Sequence, residues 1–87
     1  MEKNLVRAVI HCRGLRFEKI VDFGKCGWED VIPGRNFVLR ISPSHLWTVK
    51  VFNKIEDPSG LPTYFFKNNE EEFLRSLSPE KGWRQIG

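Results

Sequence analysis

LVRAVIHCRGLRFEKIVDF, residues 5–23, is two alternating runs joined at Arg13-Gly14. Successive side chains of a strand point to opposite faces. Val6, Ala8, Ile10 and Cys12 therefore share one face of the first run, and Leu5, Arg7, Val9 and His11 share the other. The second run sets Leu15, Phe17, Val21 and Phe23, interrupted by Lys19, against Arg16, Glu18, Ile20 and Asp22. Gly14 supplies the positive φ that a tight connection needs. The pair predicts an antiparallel hairpin with one apolar face.

The same alternation returns downstream. Phe37, Leu39 and Ile41 oppose Val38 and Arg40 in the segment 36–42, and Trp47, Val49 and Val51 oppose Leu46, Thr48, Lys50 and Phe52 in 46–53. Ser42-Pro43-Ser44 between them is a turn, so these segments predict a second hairpin. Asp57-Pro58-Ser59-Gly60 marks another turn. The aromatic run Thr63–Lys67 predicts a fifth strand, placed at a sheet edge because Pro62 opens it. Gly24–Gly34 is rich in breakers but carries Trp28, Val31 and Ile32, so it is expected to fold back onto the core. A helix follows Asn68-Asn69. Either Asn can cap it, and with Asn69 as cap, Glu72 takes the third helical position of a capping box. Glu70, Glu71 and Glu72 favour the positive end of the helix dipole, Phe73, Leu74 and Leu77 form the buried stripe, and Ser78-Pro79 ends it. Trp83–Ile86 is expected to add a last short strand or a packed tail.

These elements predict an α+β fold: a twisted antiparallel sheet of about five strands, two hairpins plus one strand, with one short C-terminal helix. A small half-open β-barrel is the alternative. The expected core is Val6, Ala8, Ile10, Phe17, Val21, Phe23, Phe37, Leu39, Ile41, Trp47, Val49, Val51, Phe65, Phe73, Leu74 and Leu77. With 87 residues, the chain is expected to be a single domain over 1–87. Its seven Phe, three Trp and one Tyr suit a small core, because each aromatic buries a large area. This composition argues against disorder.

Charge is uneven. Residues 1–54 hold ten Lys/Arg against five Asp/Glu, and residues 55–87 hold four against six. The first two-thirds is thus the part able to face phosphate or an acidic protein. No apolar run reaches the roughly 20 residues of a bilayer span, and no apolar leader core follows Met1, so no membrane contact and a cytoplasmic location, in a cell or an infected host, are expected. Cys12 and Cys26 are then expected as free thiols. They and the two His lack the spacing of a zinc site, and His11 and Cys12 point to opposite strand faces.

Other chemical signatures fail on spacing. Gly24-Lys25-Cys26-Gly27 lacks the phosphate-loop pattern, and no helix follows it. Asp22-Phe23-Gly24 matches a kinase metal-binding tripeptide without its companions. Cys26, His45 and Asp57 can be assembled into a triad on paper, but any small protein with two Cys and two His allows the same, and the adjacent pairs Glu29-Asp30 and Glu56-Asp57 are ordinary turn carboxylates. No catalytic, cofactor or metal residue is therefore expected.

The faces opposite the core stripes are mixed rather than polar. They interleave Arg7, His11, Arg16, Arg40 and Lys50 with Val9, Ile20, Val38, Leu46 and Phe52. A sheet face meeting only water reads more polar than this, whereas Arg and aromatics dominate binding patches. The expected function is a small non-enzymatic protein-binding module. It would act as an inhibitor or adaptor by occupying a partner surface through Arg7, Arg16, Arg40, Lys50 and Phe52. Its size matches phage- or mobile-element proteins directed at host defence or nucleic-acid machinery. The alternative is a nucleic-acid-binding module using the basic sheet face, and a ribonuclease-like toxin is a third. Cover by the Trp28 loop, by the C-terminal tail or by a second copy in a homodimer would equally explain the mixed face.

Overall fold

A computed structural model of the chain describes residues 4–42, 45–56, 58 and 60–87. The side chain of Ile41, expected in the core, and the turn residues Pro43, Ser44, Asp57 and Ser59 lie outside the description. The alternating runs form β1 (Leu5–Cys12), β2 (Leu15–Asp22), β3 (Asn36–Ser42), β4 (His45–Glu56) and β5 (Pro62–Lys67), followed by α1 (Glu71–Ser76) and β6 (Arg84–Ile86). Short 3-10 turns occupy Trp28–Asp30 and Pro79–Lys81.

The strands make one sheet in the order β3-β4-β5-β1-β2-β6. A β1–β2 hairpin extended by β6 and a β3–β4–β5 meander meet along the seam between β1 and β5. That seam is parallel, and the other neighbouring pairs are antiparallel. The antiparallel expectation is therefore corrected to an open, mixed sheet, which is compatible with an α+β fold and is not a closed barrel; its sixth strand is the short one that Trp83–Ile86 offered.

The edge position expected for the 63–67 strand is also corrected, because β5 is central. Pro62 is its first residue, where its missing N–H removes no interior ladder bond. The following residues are buried on both faces, as a central strand requires. Tyr64 and Phe66 are fully buried on one face, and Thr63 is 4 % exposed on the other, where Val9 of β1, opposite Phe65, is 5 % exposed.

The core lies on one side of the sheet. Val6, Ala8, Ile10, Cys12, Phe17, Leu39, Val49 and Val51 enter it from the strands, joined by Tyr64 and Phe66. The sheet curls around this core. Phe23, just after β2, stacks on Phe37 of β3 at 5.3 Å between centroids, although three strands separate β2 from β3 in the sheet. Val21, Phe23, Phe37, Trp47 and Leu74 are partly buried against the cluster. Phe65, expected in the core, points to the opposite, convex face. Beginning β5 at Pro62 gives the inward positions to Tyr64 and Phe66 instead.

The concave side is closed by three pieces of chain. The 24–35 loop inserts Val31, with no exposed surface, and lays Trp28 against Tyr64 at 5.6 Å. Lys54 ties this loop down: its Nζ donates to the Trp28 carbonyl at 2.7 Å and sits 4.5 Å from the indole centroid. Helix α1 brings Phe73 edge-on to Trp47 at 5.3 Å, with Leu77 following, and the tail adds Trp83. The loop thus folds back onto the core as its apolar residues predict, and Trp83 of the tail packs there too, so neither supplies the alternative cover of the mixed face.

The cap of α1 differs from expectation. Glu70 holds the N-cap position and makes no side-chain cap bond. Asn68 Oδ1 instead accepts from the Glu70 N–H at 2.8 Å, and Asn69 Oδ1 accepts from the Arg13 N–H at 2.9 Å. Tertiary demand on Asn69 displaces the capping box that local spacing favours. No helix of the described residues is long and apolar enough to cross a membrane.

Candidate functional site

The convex face carries the outward residues of every strand. Leu5, Ile20, Val38, Leu46, Phe52 and Ile55 all remain exposed there. Strand register brings one row of this face together from four segments of the chain. Lys50 of β4 lies opposite Lys67 of β5, Lys67 opposite His11 of β1, and His11 opposite Arg16 of β2. With strands roughly 4.8 Å apart, the row is about 14 Å long.

Two lysines directly opposite one another destabilise a sheet, because their charges repel at close range. No described carboxylate relieves them: none forms an ion pair with Lys50 or Lys67, and none lines the recess above the row. This recess encloses about 730 Å³ and is lined by the row itself together with Arg13, Gly14, Phe52 and Asn69. Its volume lies within the roughly 300–1,000 Å³ range of ligand pockets.

The positive field acts on His11. Partial burial, then the Arg16 and Lys67 charges, hold its pKa below the ordinary 6.5. The imidazole is therefore neutral near pH 7 and open to hydrogen bonding through either nitrogen. Cations facing one another without carboxylates repel, and a bound anion is one way to relieve that repulsion.

The end of the recess is built by the β1–β2 turn. Arg13 and Gly14 have φ of 51° and 81°, the two positive values that a type I′ hairpin turn requires. Asn is the usual first residue of such a turn, and Arg there is strained. Asn69 holds it in place through the Arg13 N–H, and Arg13 Nη1 donates to the Asn69 carbonyl at 3.4 Å. Asn68 anchors the same corner, with its N–H on the His11 carbonyl at 3.1 Å and its Nδ2 on the Thr48 carbonyl at 2.9 Å. Arg13→Asn is expected to relieve roughly 1 kcal/mol of strain, which raises the melting temperature by about 4–8 °C in a domain of this size, and to weaken anion binding. A lowered melting temperature in a thermal scan would show that Arg13 is not strained.

Phe52 enters the recess through a β-bulge. The register passes from Val51 opposite Phe66 to Asn53 opposite Phe65, leaving Phe52 as the extra residue. Bulges re-aim side chains. Here the ring meets His11 edge-on at 4.8 Å and Phe65 at 5.8 Å, yet stays 43 % exposed.

Of the expected contact residues, Arg16, Lys50 and Phe52 converge on this recess. Arg7 does not: it lies 4.0 Å from Glu18 in a separate depression with Ile20 and Arg84. Arg40 lies on the edge strand β3, beside a groove with Val21, Phe23 and Phe37. Sequence reasoning misses Arg13, Lys67 and Asn69, because only the parallel β1–β5 seam and the turn contact bring them in.

The acidic residues of the convex face are occupied elsewhere. Glu18 pairs with Arg84 and Arg7. Asp22 Oδ1 accepts from the N–H groups of Asn4 at 3.1 Å and Gly24 at 2.8 Å.

The remaining reactive groups are dispersed. Cys12 and Cys26 are free. Cys12 is buried against α1, its Sγ donating to the Glu70 carbonyl at 3.7 Å, and burial raises its pKa. His45 is exposed at the start of β4, while Asp57 lies outside the described residues. Among the described residues, no three His, Cys, Asp or Glu side chains are grouped to hold a metal. Comparison with known proteins gives no match to this chain among family models, curated proteins or solved structures.

Proposed function

We propose that this chain is a non-enzymatic binding module whose convex sheet face holds nucleic acid at the basic recess. One observation carries this: Lys50, Lys67 and Arg16 stand with His11 in a single cross-strand row, in a recess without a described carboxylate. Nucleic-acid phosphates are the ligands that such a row neutralises repeatedly along one chain, with counterion release adding to the affinity.

Fluorescence anisotropy with labelled DNA and RNA at two salt concentrations tests the assignment. Sub-micromolar binding at low salt is expected. It should weaken with a slope of roughly −3 in log affinity against log salt, if Arg13, Arg16, Lys50 and Lys67 each meet a phosphate of a single strand. No binding at low salt, or affinity indifferent to salt, would remove the nucleic-acid function.

A second reading, the inhibitor or adaptor with a protein partner, draws support from a different part of the same face. Leu5, Ile20 and Ile55 are 44–48 % exposed on β1, β2 and β4, outside the cation row. Exposed apolar side chains rimmed by charge suit a protein interface.

A further inference from the structure

We infer that the recess selects single-stranded over duplex nucleic acid, with one unpaired base stacked on Phe52 while the flanking phosphates lie along the lysine row. This inference rests on the nucleic-acid function proposed above and names the form of ligand.

The cations alone would accept any polyanion. Phe52 is what discriminates. A ring needed only for packing would turn into the core, as Phe66 does from the neighbouring strand, where it has no exposed surface. Phe52 instead stands on the extra residue of a bulge, two residues after Lys50 and within the basic recess. Two ring contacts hold it: His11 edge-on at 4.8 Å with an interplanar angle of 87°, and Phe65 at 5.8 Å. Its 43 % exposure leaves ring surface for a planar ligand.

A duplex keeps its bases stacked on one another and presents phosphates outside, so it can meet the lysines but not the ring. A single strand offers both at once, and base-on-aromatic stacking is tolerant of sequence. His11 beside the ring can exchange hydrogen bonds with a base edge. Nothing in this arrangement separates ribose from deoxyribose, so single-stranded RNA and DNA are both ligands.

The test uses the full chain and three labelled probes: a 12-nucleotide oligo-dT, a 12-nucleotide oligo-rU and a 12-base-pair duplex. The unmodified protein should bind both single strands at least about 10-fold more tightly than the duplex. Phe52→Ala should lower single-strand affinity roughly 10-fold or more, with duplex affinity and the salt slope unchanged. Phe52→Trp should retain single-strand binding, and its introduced exposed indole should be quenched by oligo-dT. That variant keeps the test open should Phe52→Ala fold poorly.

Equal loss for single strands and duplex in Phe52→Ala, no loss at all, or absence of quenching in Phe52→Trp would overturn the stacking role. Failure of the unmodified protein to bind any of the three probes would instead overturn the nucleic-acid function beneath it.

Discussion

Lys67→Glu is expected to give a protein that melts no lower than the parent and binds polyanions more weakly. The two effects come from the same pair. In the parent, Lys67 faces Lys50 across β4 and β5, and the like charges repel. The substitution turns the pair attractive, which is worth about 0.2–1 kcal/mol on a sheet surface. It also removes one cation from the recess and adds an anion, so the hold on phosphate weakens at both row positions. The salt slope should become shallower by at least the roughly one unit expected for each phosphate that is no longer neutralised. A third readout separates charge from packing. Lys67 is one of two cations holding the His11 pKa down, so the imidazole should titrate at higher pH in the variant. NMR titration of His11 measures this directly. Loss of stability with unchanged binding would mean that Lys67 serves the sheet rather than a ligand.

Phe73→Ala is expected to cost about 3–5 kcal/mol, the usual range for deleting a buried aromatic. A domain of 87 residues has a total stability of roughly 4–13 kcal/mol, so this one change removes much of it. Phe73 is the buried residue of α1, and its ring closes on Trp47 of β4. A helix of six residues does not hold itself in water. Docking through Phe73 and the following Leu77 is what keeps α1 folded over the concave core. Urea unfolding should show a lower midpoint with little change in slope. A loss below about 1 kcal/mol would show that α1 is not anchored there. Because the basic recess lies on the opposite face, the folded fraction of this variant should retain the parent affinity, which distinguishes a stability residue from a binding one.

The strands were legible because alternation is a local signal. Each pair such as Val6 and Arg7, or Val49 and Lys50, states which way it points without reference to the rest of the chain. The short connection at Arg13-Gly14 likewise requires its two strands to pair antiparallel. Half-legible was the recess: Arg16, Lys50 and Phe52 belong to the outward face by alternation alone. Their convergence was not written locally, nor was the divergence of Arg7 and Arg40, since both depend on how hairpin and meander sit side by side.

The sequence by itself determined the alternating strands, the uneven charge, the Phe73-bearing helix and the mixed outward face. Only the tertiary structure decided that β5 joins β1 in parallel. No turn specifies that seam, which forms because β1 and β5 bury residues on both faces, Val9 and Thr63 outward as well as Ile10 and Tyr64 inward, and so are the strands best placed at the centre of a sheet. The seam sets Lys67 between Lys50 and His11, and thereby gathers into one row charges that lie far apart in the chain.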